Sequence, residues 1–330
     1  MTENIYDISI IGAGPVGLYA GFYAGMRNVK TQILESLPQV GGQLATIYPD
    51  KYIYDVAGHS KVKALDLVDQ LHNQVRNMSD VEIKTNEAVV NIKQIDDIYE
   101  ITSTKETYRT KAVILATGSG SFNPRTLAID YDAQLEADGR LVYHIDKLEN
   151  FKNQRVAVAG GGDSAIDIAM MLKSVAEKVY IIHRREDFRA LEESVRKLYQ
   201  SDIEILKSYK INKLEENSSK LKLGLEKIKS DENLELDLDR LVVNYGFKTD
   251  TSHLDSWDIN LDLDRNLYEV DGLMETNYPN IYAIGDGASY LGKLKLISQG
   301  FGEAPTAVNQ IVEKLYPKKR RSAHSTSLFK

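Results

Sequence analysis

Short apolar runs that end at glycines, each followed by a stretch with helical spacing, occur twice along this chain. The first run covers residues 8–11 and leads through a glycine turn and a helix into a second strand that ends at Glu35. The second run covers residues 155–159 and leads through another glycine turn and a helix expected over 166–176 into a strand at 179–182. A buried strand that runs into a glycine turn and a helix is typical of a parallel α/β sheet.

The remaining apolar positions predict the elements around these two units. Helical spacing covers residues 61–77, and alternating segments over 81–109 and again over 203–238 predict antiparallel meanders. Continuous apolar runs predict buried strands at 112–118, 241–243 and 280–286. A helix is expected over 305–315, with an alternative start near Gln299 and a kink at Pro305.

The first glycine turn carries a dinucleotide-binding pattern. Gly12, Gly14 and Gly17 form G-x-G-x-x-G directly after a strand, where the glycines permit a tight turn, approach to a pyrophosphate and close packing of helix on strand. The helix N-terminus then favours phosphate groups. Glu35 closes the second strand, where a carboxylate accepts hydrogen bonds from ribose hydroxyls.

The second copy repeats the order of strand, glycine turn, helix and strand, but its second strand does not end in an acid. Gly160, Gly162 and Ala165 form G-x-G-x-x-A, and His183 lies as far beyond Gly160 as Glu35 lies beyond Gly12. The recurrence predicts an α/β fold of two Rossmann-like three-layer dinucleotide-binding domains, the second inserted into the first. The expected limits are 1–119 with 248–330 for the outer domain and 120–247 for the inserted one.

The residues after the second strand assign a nucleotide to each copy. Glu35 suits free ribose hydroxyls, whereas His183, Arg184, Arg185 and Arg189 suit a 2′-phosphate, because guanidinium groups bind phosphate bidentately. The inserted domain is therefore expected to bind NADPH or NADP⁺. The alternative is a solvated basic stretch at the start of a helix.

FAD is the economical choice for the outer domain. Asp286, at the end of a strand, can accept from a hydroxyl, and the helix near Pro305 can direct its positive end at a flavin. The pair Gly41 and Gly42 suggests a loop folded over a ligand, with a surface turn as the alternative.

Composition narrows the classes of function. The net charge of −7 argues against a nucleic-acid partner, and no apolar run is long enough to span a membrane. No secretory signal is visible at the N-terminus, so a cytoplasmic protein is expected. The six histidines are scattered without ligand spacing, so no metal site is expected. The chain has no cysteine, which excludes a dithiol redox centre.

The motifs together resemble the two-dinucleotide flavoprotein family, and within it the thioredoxin-reductase-like branch. They are GAGPVG at 12–17, ATG at 116–118, GGGDSA at 160–165, HRREDFRA at 183–190 and YAIGD at 282–286. The missing C-x-x-C departs from thioredoxin reductases. Segments 46–58, 302–311 and 324–329 resemble instead the cysteine-free ferredoxin/flavodoxin–NADP⁺ reductases of bacterial type.

This resemblance implies FAD contacts, a partner and a reaction. The implied contacts, beyond the glycine turn, are Glu35, Gln43, Tyr48, Ala88, Phe122, Asp286 and Ser327. Tyr48 and His324 are expected to stack on the flavin; the alternatives are an ordinary tyrosine and a tail histidine without a role. FAD would relay electrons between NADPH and a ferredoxin or flavodoxin, in a homodimer. The alternatives are an NAD(P)H oxidase or diaphorase using oxygen, quinone or free flavin, and a nucleotide-binding module without turnover.

Overall fold

The chain divides into two compact units. The computed structural model describes residues 5–118, 120, 124–145, 147–217, 220–246 and 256–319. Unit 1 comprises Met1–Ser121 and Thr249–Lys330, and unit 2 comprises Phe122–Lys248. Unit 2 is thus inserted into unit 1, and the predicted α/β fold class is confirmed.

The bounds of the regular elements are as follows. The strands are β1 (Ile5–Ile11), β2 (Thr31–Leu34), β3 (Tyr52–Ile53), β4 (Val62–Lys63), β5 (Val81–Lys84), β6 (Val89–Ile95), β7 (Ile98–Ser103), β8 (Thr107–Leu115), β9 (Leu141–Val142), β10 (Arg155–Ala159), β11 (Lys178–His183), β12 (Glu204–Lys207), β13 (Tyr209–Asn217), β14 (Lys220–Lys227), β15 (Asn233–Leu238), β16 (Arg240–Val243), β17 (Leu263–Asp264), β18 (Leu267–Glu269), β19 (Ile281–Ala283) and β20 (Ala288–Ser289). The α-helices are α1 (Pro15–Met26), α2 (Gln43–Thr46), α3 (Ala64–Arg76), α4 (Gln134–Ala137), α5 (Asp163–Leu172), α6 (Glu192–Tyr199) and α7 (Ile297–Leu315).

The main sheet of unit 1 has the strand order β5-β2-β1-β8-β7-β6, and β19 also pairs with β8. Strand β8 takes part in both antiparallel and parallel pairing. Its first half pairs antiparallel with β7, and its second half pairs parallel with β19. Strands β1, β2 and β5 are parallel to one another and to β8. The carboxyl ends of β1, β2 and β19 therefore lie on the same side of the sheet. Open α/β sheets bind their ligands at the carboxyl ends of their strands.

Both expected antiparallel meanders contain fewer strands than the sequence suggests. Strand β5 was expected to begin the first meander, but it pairs parallel with β2 at the edge of the main sheet. Strand β12 was expected in the second, but it pairs parallel with β11. Within the two expected meanders, antiparallel pairing is limited to β6–β8 and β13–β15. Both expectations were wrong because alternation along one strand does not reveal the direction of its partner.

Unit 2 is built on a parallel sheet of order β12-β11-β10-β16-β9. Alternate residues of β10 point to opposite faces, as a strand requires. Val156 and Val158 pack with α5 in one apolar cluster, whereas Ala157 and Ala159 pack with the β13–β15 meander in another. The unit therefore has helix, sheet and meander layers, in agreement with the predicted three-layer arrangement.

Helix α7 begins earlier than its sequence suggests. The first residue is Ile297, so the expected start at Pro305 was wrong, whereas the alternative start near Gln299, with Pro305 inside the helix, is correct to within two residues. A proline costs an interior hydrogen bond, but the helix buries Ala304, Ala307 and Val308 on both sides of it, and this burial offsets the loss. Helix α5 also begins earlier than expected, and it ends earlier as well, because it covers Asp163–Leu172 where 166–176 was expected.

In the part of the chain that the structure describes, none of the helices has the length and apolar character that crossing a membrane requires. The same residues contain no group of three or more histidine, aspartate or glutamate side chains placed to hold a metal ion.

Candidate functional site: two glycine turns and the groups around them

The turn between β1 and α1 accepts only glycine at two of its three glycine positions. Gly12 has φ of +104°, and a Cβ atom there would lie 2.5 Å from the carbonyl oxygen of Ala116. A Cβ atom on Gly17 would lie 2.0 Å from the carbonyl oxygen of Gly12. Gly14 is different, because a Cβ atom there would meet no atom within 4 Å. The space beside Gly14 is therefore open, as close approach of a pyrophosphate requires.

The acid predicted to bind ribose lies directly beside this turn. Glu35 is buried, and its Oε2 accepts a hydrogen bond of 2.8 Å from the backbone N–H of Ala13. Its Oε1 accepts another of 2.9 Å from the N–H of Leu37. A carboxylate has about four acceptor positions, so the carboxylate is fixed in place and retains capacity for a ribose hydroxyl.

The loop that contains Gly41 and Gly42 folds back onto the glycine turn. The N–H of Gly41 donates to the carbonyl oxygen of Ala13 at 2.8 Å. A Cβ atom on Gly42 would lie 3.3 Å from the Cα of Gly14, so this loop passes close to the place where a pyrophosphate is expected. Gln43 then begins α2. The structure therefore brings Gln43 and the glycine turn into one region of unit 1.

Two further predicted FAD contacts lie in unit 1. Tyr48 is half-buried, and the ammonium of Lys51 lies 5.2 Å from the centre of its ring. The backbone of Ala88 is already engaged by Thr104, which donates its N–H to the Ala88 carbonyl at 2.8 Å and accepts from the Ala88 N–H at 3.2 Å. Any contact of Ala88 with a ligand therefore uses its side chain or the second lone pair of its carbonyl.

Asp286 lies in a short 3₁₀ turn, Gly285–Gly287, that follows β19. Burial raises the pKa of its carboxyl, while the nearby Lys295 and Lys293 lower it. Among the described residues no hydrogen bond to this carboxylate is found. A half-buried acceptor without a partner is the kind of group that a ligand hydroxyl satisfies.

The starts of α1 and α7 meet at this 3₁₀ turn. Ideal Cβ atoms on Gly285 and Gly300 would lie 3.4 Å and 2.4 Å from side-chain carbons of Val16. The turn that presents Asp286 is therefore packed beside the first turn of α1, where phosphate is expected. Helix α7 begins at Ile297 rather than near Pro305. The positive end of its dipole therefore lies near the 3₁₀ turn that presents Asp286.

The second glycine turn, in unit 2, is equally tight. A Cβ atom on Gly160 would lie 2.4 Å from the carbonyl oxygen of Asn244 and 2.7 Å from the Cβ of Ala165. Gly162 is the N-cap of α5, which begins at Asp163. The Asp163 carboxylate accepts a hydrogen bond of 2.9 Å from the N–H of Leu191, a link that no motif predicted. The glycine turn is thus joined to the segment that follows β11.

His183 supports this turn from beneath. Its side chain is buried, and a Cβ atom on Gly161 would lie only 2.1 Å from its Nδ1. Its Nε2 lies 3.0 Å from the carbonyl oxygen of Asp187, and its ring stacks on Phe188. Burial lowers the pKa of this imidazole, and Arg185, Arg184 and Arg189 lower it further. The predicted ligand residue is therefore mainly engaged within unit 2.

The three predicted arginines are exposed beside the same turn. The N–H of Arg189 donates to the carbonyl oxygen of Gly161 at 2.7 Å, which ties the arginine segment to the glycine turn. No ion pair involving Arg184, Arg185 or Arg189 is found among the described residues. Three guanidinium groups without a carboxylate partner next to a helix N-terminus form a site suited to an anion.

Three of the predicted FAD contacts, Phe122, His324 and Ser327, lie outside the described residues.

Comparison with known proteins agrees with this arrangement. The model of the pyridine nucleotide-disulphide oxidoreductase family matches residues 6–310. The chain belongs to this family. It is 48% identical to the ferredoxin–NADP reductase of Pediococcus pentosaceus over all of this chain and 99% of the relative. It is 47% identical to ferredoxin–NADP reductase 2 of Latilactobacillus sakei, with 99% of each chain covered.

The solved structures of the family support the fold. The Lactococcus lactis thioredoxin reductase in its FR conformation matches with a TM-score of 0.81 and 25% identity, over 93% of this chain and 98% of that one. This member of the pyridine nucleotide-disulphide oxidoreductase family has no cysteine anywhere in its sequence. A family that is named for disulphide chemistry therefore includes a chain that cannot form a disulphide of its own. The family implies FAD and a nicotinamide nucleotide as cofactors.

Proposed function

We propose that this protein is a ferredoxin–NADP⁺ reductase that binds FAD in unit 1 and NADPH or NADP⁺ in unit 2. The observation that carries the proposal is the full-length similarity to ferredoxin–NADP reductases in a chain without cysteine. A dithiol relay within this chain is impossible, so the electrons must pass to an acceptor outside it.

Unit 1 has the groups that FAD requires. The open space beside Gly14 accommodates the pyrophosphate, the fixed Glu35 carboxylate accepts from a ribose hydroxyl, and the unpartnered Asp286 accepts from the ribityl side. Gln43 and Tyr48 complete the set of side chains assigned to the flavin. When bound, FAD accepts a hydride from a nicotinamide and returns electrons singly to a carrier protein. The protein supplies binding, orientation and electrostatics.

Unit 2 has the groups that NADPH requires in preference to NADH. The glycine turn at Gly160 and Gly162 receives the pyrophosphate, and Arg184, Arg185 and Arg189 pair with the 2′-phosphate. NADH lacks that phosphate, so it would leave the three guanidinium groups without a partner. His183 acts indirectly, because its buried ring holds the arginine segment against the turn.

The acceptor is a ferredoxin or a flavodoxin, in line with the names of the relatives. The test is reduction of cytochrome c by NADPH with and without added ferredoxin. The proposal expects a rate that rises with ferredoxin concentration and saturates. A rate indifferent to ferredoxin and flavodoxin would instead assign an oxidase or diaphorase activity, and a protein that never bleaches with NADPH would be a binding module. The homodimer that the family resemblance implies is tested by light scattering on the purified protein.

A further inference from the structure

Two oppositely charged side chains are buried together at the start of α7. The ammonium of Lys293, whose side chain is 7% exposed, pairs with the carboxylate of Glu303, which is 4% exposed. Neither residue belongs to a nucleotide-binding motif. Buried ion pairs are rare, and they contribute little net stability compared with apolar residues of the same size, so the pair calls for another explanation.

The Glu303 carboxylate connects three segments of unit 1. Its Oε2 accepts a hydrogen bond of 2.7 Å from the N–H of Gly285, which begins the turn that presents Asp286. Its Oε1 accepts from the hydroxyl of Tyr290 at 2.7 Å, in the loop before α7. Glu303 itself lies in α7. The carboxylate therefore fixes the 3₁₀ turn, the loop and the helix with respect to one another.

A second set of contacts holds the loop in which Lys293 lies. The side-chain amide of Gln299 donates to the Tyr290 hydroxyl at 2.6 Å and accepts from the N–H of Leu294 at 2.9 Å. The loop is thus fastened to the first turn of α7 on both sides of Lys293. The ammonium points inward, and its position is determined by Glu303.

Lys293 and the turn of Asp286 contact the same carboxylate, because Glu303 binds the Lys293 ammonium and also the N–H of Gly285, the residue before Asp286. The charge of Lys293, together with that of Lys295, lowers the pKa of the Asp286 carboxyl, whereas Glu303 raises it. If Glu303 were neutral, the desolvated ammonium would need another acceptor, and the Asp286 carboxylate, in the turn that Glu303 holds, is available to it. An ion pair between them would occupy the acceptor that a ligand hydroxyl needs, because a buried ammonium must find a partner.

We propose that Glu303 is a positioning residue for FAD binding, which holds Lys293 in a buried pair and thereby leaves the Asp286 carboxylate free for the cofactor. This inference rests on the proposed function only in taking FAD as the ligand of unit 1. It assigns roles to two residues outside every nucleotide-binding motif of the chain.

The test measures the dissociation constant of FAD for the deflavinated full-length protein by fluorescence titration. Glu303→Gln keeps the shape and an acceptor for the Gly285 N–H, but it releases Lys293. The expected result is a dissociation constant at least ~10-fold higher, about the value of one charge-assisted hydrogen bond. In the double variant Lys293→Met/Glu303→Gln, no buried ammonium is left to pair with Asp286, and the exposed Lys295 is unchanged from wild type, so affinity should return to within about threefold of wild type.

A matched control lies on the same helix. Lys314 pairs with Glu275 near the other end of α7, about 16 Å along the helix axis from Glu303. Lys314→Met should leave the FAD affinity unchanged. Thermal unfolding of each deflavinated variant separates a loss of fold from a loss of affinity. If Glu303→Gln fails to fold, FAD affinity is measured on the double variant alone. That variant contains no unpaired buried charge and should fold.

Two results would overturn the inference while leaving the proposed function intact. One is wild-type affinity in folded Glu303→Gln, and the other is a folded double variant that binds FAD at least ten times more weakly than wild type. A purely structural role predicts that weak double variant, because both members of the pair are then missing. Failure of the wild-type protein to bind FAD would instead overturn the proposed function together with this inference.

Discussion

The carboxylate of Glu35 accepts a hydrogen bond of 2.8 Å from the backbone N–H of Ala13, across 22 positions of sequence. This contact joins the acid after β2 to the glycine turn after β1, so the groups that we propose for binding ribose and phosphate form one rigid structure. The two meet because β1 and β2 are parallel neighbours, which end on the same side of the sheet. The predictions below follow from this arrangement and its counterpart in unit 2.

Two glycines of the same turn should respond differently to alanine. Gly17→Ala places a Cβ atom 2.0 Å from a backbone oxygen, so it should lower the free energy of unfolding by about 3 kcal/mol. Gly14→Ala meets open space and should cost less than about 1 kcal/mol, while it weakens FAD binding at least ~10-fold because the methyl occupies the pyrophosphate position. Urea unfolding and FAD titration of both variants check this. Gly272→Ala, also in open space, is the control and should change neither quantity.

The two arginines after β11 should determine the choice of nucleotide. Arg184→Gln/Arg185→Gln removes two charge-assisted contacts to the 2′-phosphate, each of about 1.5–3 kcal/mol. The KM for NADPH should therefore rise ~100-fold or more, with little change for NADH. Steady-state kinetics with both nucleotides measure the ratio. Arg196→Gln is the matched control, because Arg196 is exposed but already paired with Glu193. Equal effects on the two nucleotides would remove the assignment.

The ionised carboxylate of Asp286 should lower the unfolding temperature of the protein when no cofactor is bound. Burial raises the pKa of its carboxyl, so the ionised group destabilises the folded state once the pH exceeds that raised value. Asp286→Asn should therefore raise the unfolding temperature of the deflavinated protein at neutral pH. The same change should weaken FAD binding ~10-fold or more, because a charged acceptor is lost. Calorimetry and FAD titration give the two results, and a variant that is both less stable and fully able to bind FAD would contradict this account.

Acid should weaken unit 2 through His183. Burial lowers the pKa of its imidazole in the folded state below the usual value of 6.5. The stabilising contribution of the neutral ring is therefore complete above pH 6.5 and is lost as the pH falls through the folded pKa. In His183→Phe, a ring still stacks on Phe188 but does not titrate. Wild type should lose more stability than His183→Phe between about pH 7.5 and 5.

The pKa of His72, in unit 1, is lowered as well, so the informative quantity is the difference between wild type and the variant. An identical pH dependence in the two proteins would show that His183 does not contribute.

Local chemistry explains which parts of the fold were predictable. The glycine turns, the acid after β2 and the arginines after β11 are short-range patterns. In the structure Glu35 bonds to the first turn and Arg189 to the second, and their binding roles stay predictions. The pairing direction of β5 and β12 was wrong because it depends on a distant partner strand. The start of α7 at Pro305 was wrong, and the alternative start near Gln299 was close, because burial around Pro305 outweighs the local preference of proline.

The groups around Asp286 show what the sequence does not reveal. Lys293 is an ordinary charged residue in a loop, and Glu303 lies in segment 302–311, whose resemblance to the reductases does not assign it a role. Only the packing of α7 against the 3₁₀ turn buries them together. Similarly, the sequence marked His183 as a ligand residue, whereas its burial beneath Gly161 depends on the tertiary structure. No spacing rule predicts either contact.

The central claim is that electrons from NADPH reach a carrier protein through FAD held by this chain. Anaerobic stopped-flow absorbance tests it most directly, with the purified protein mixed first with NADPH and then with oxidised ferredoxin. The account predicts that NADPH bleaches the flavin absorbance and that ferredoxin restores it at a rate that increases with ferredoxin concentration. A flavin that NADPH does not bleach, or whose recovery is the same with and without ferredoxin, would contradict it.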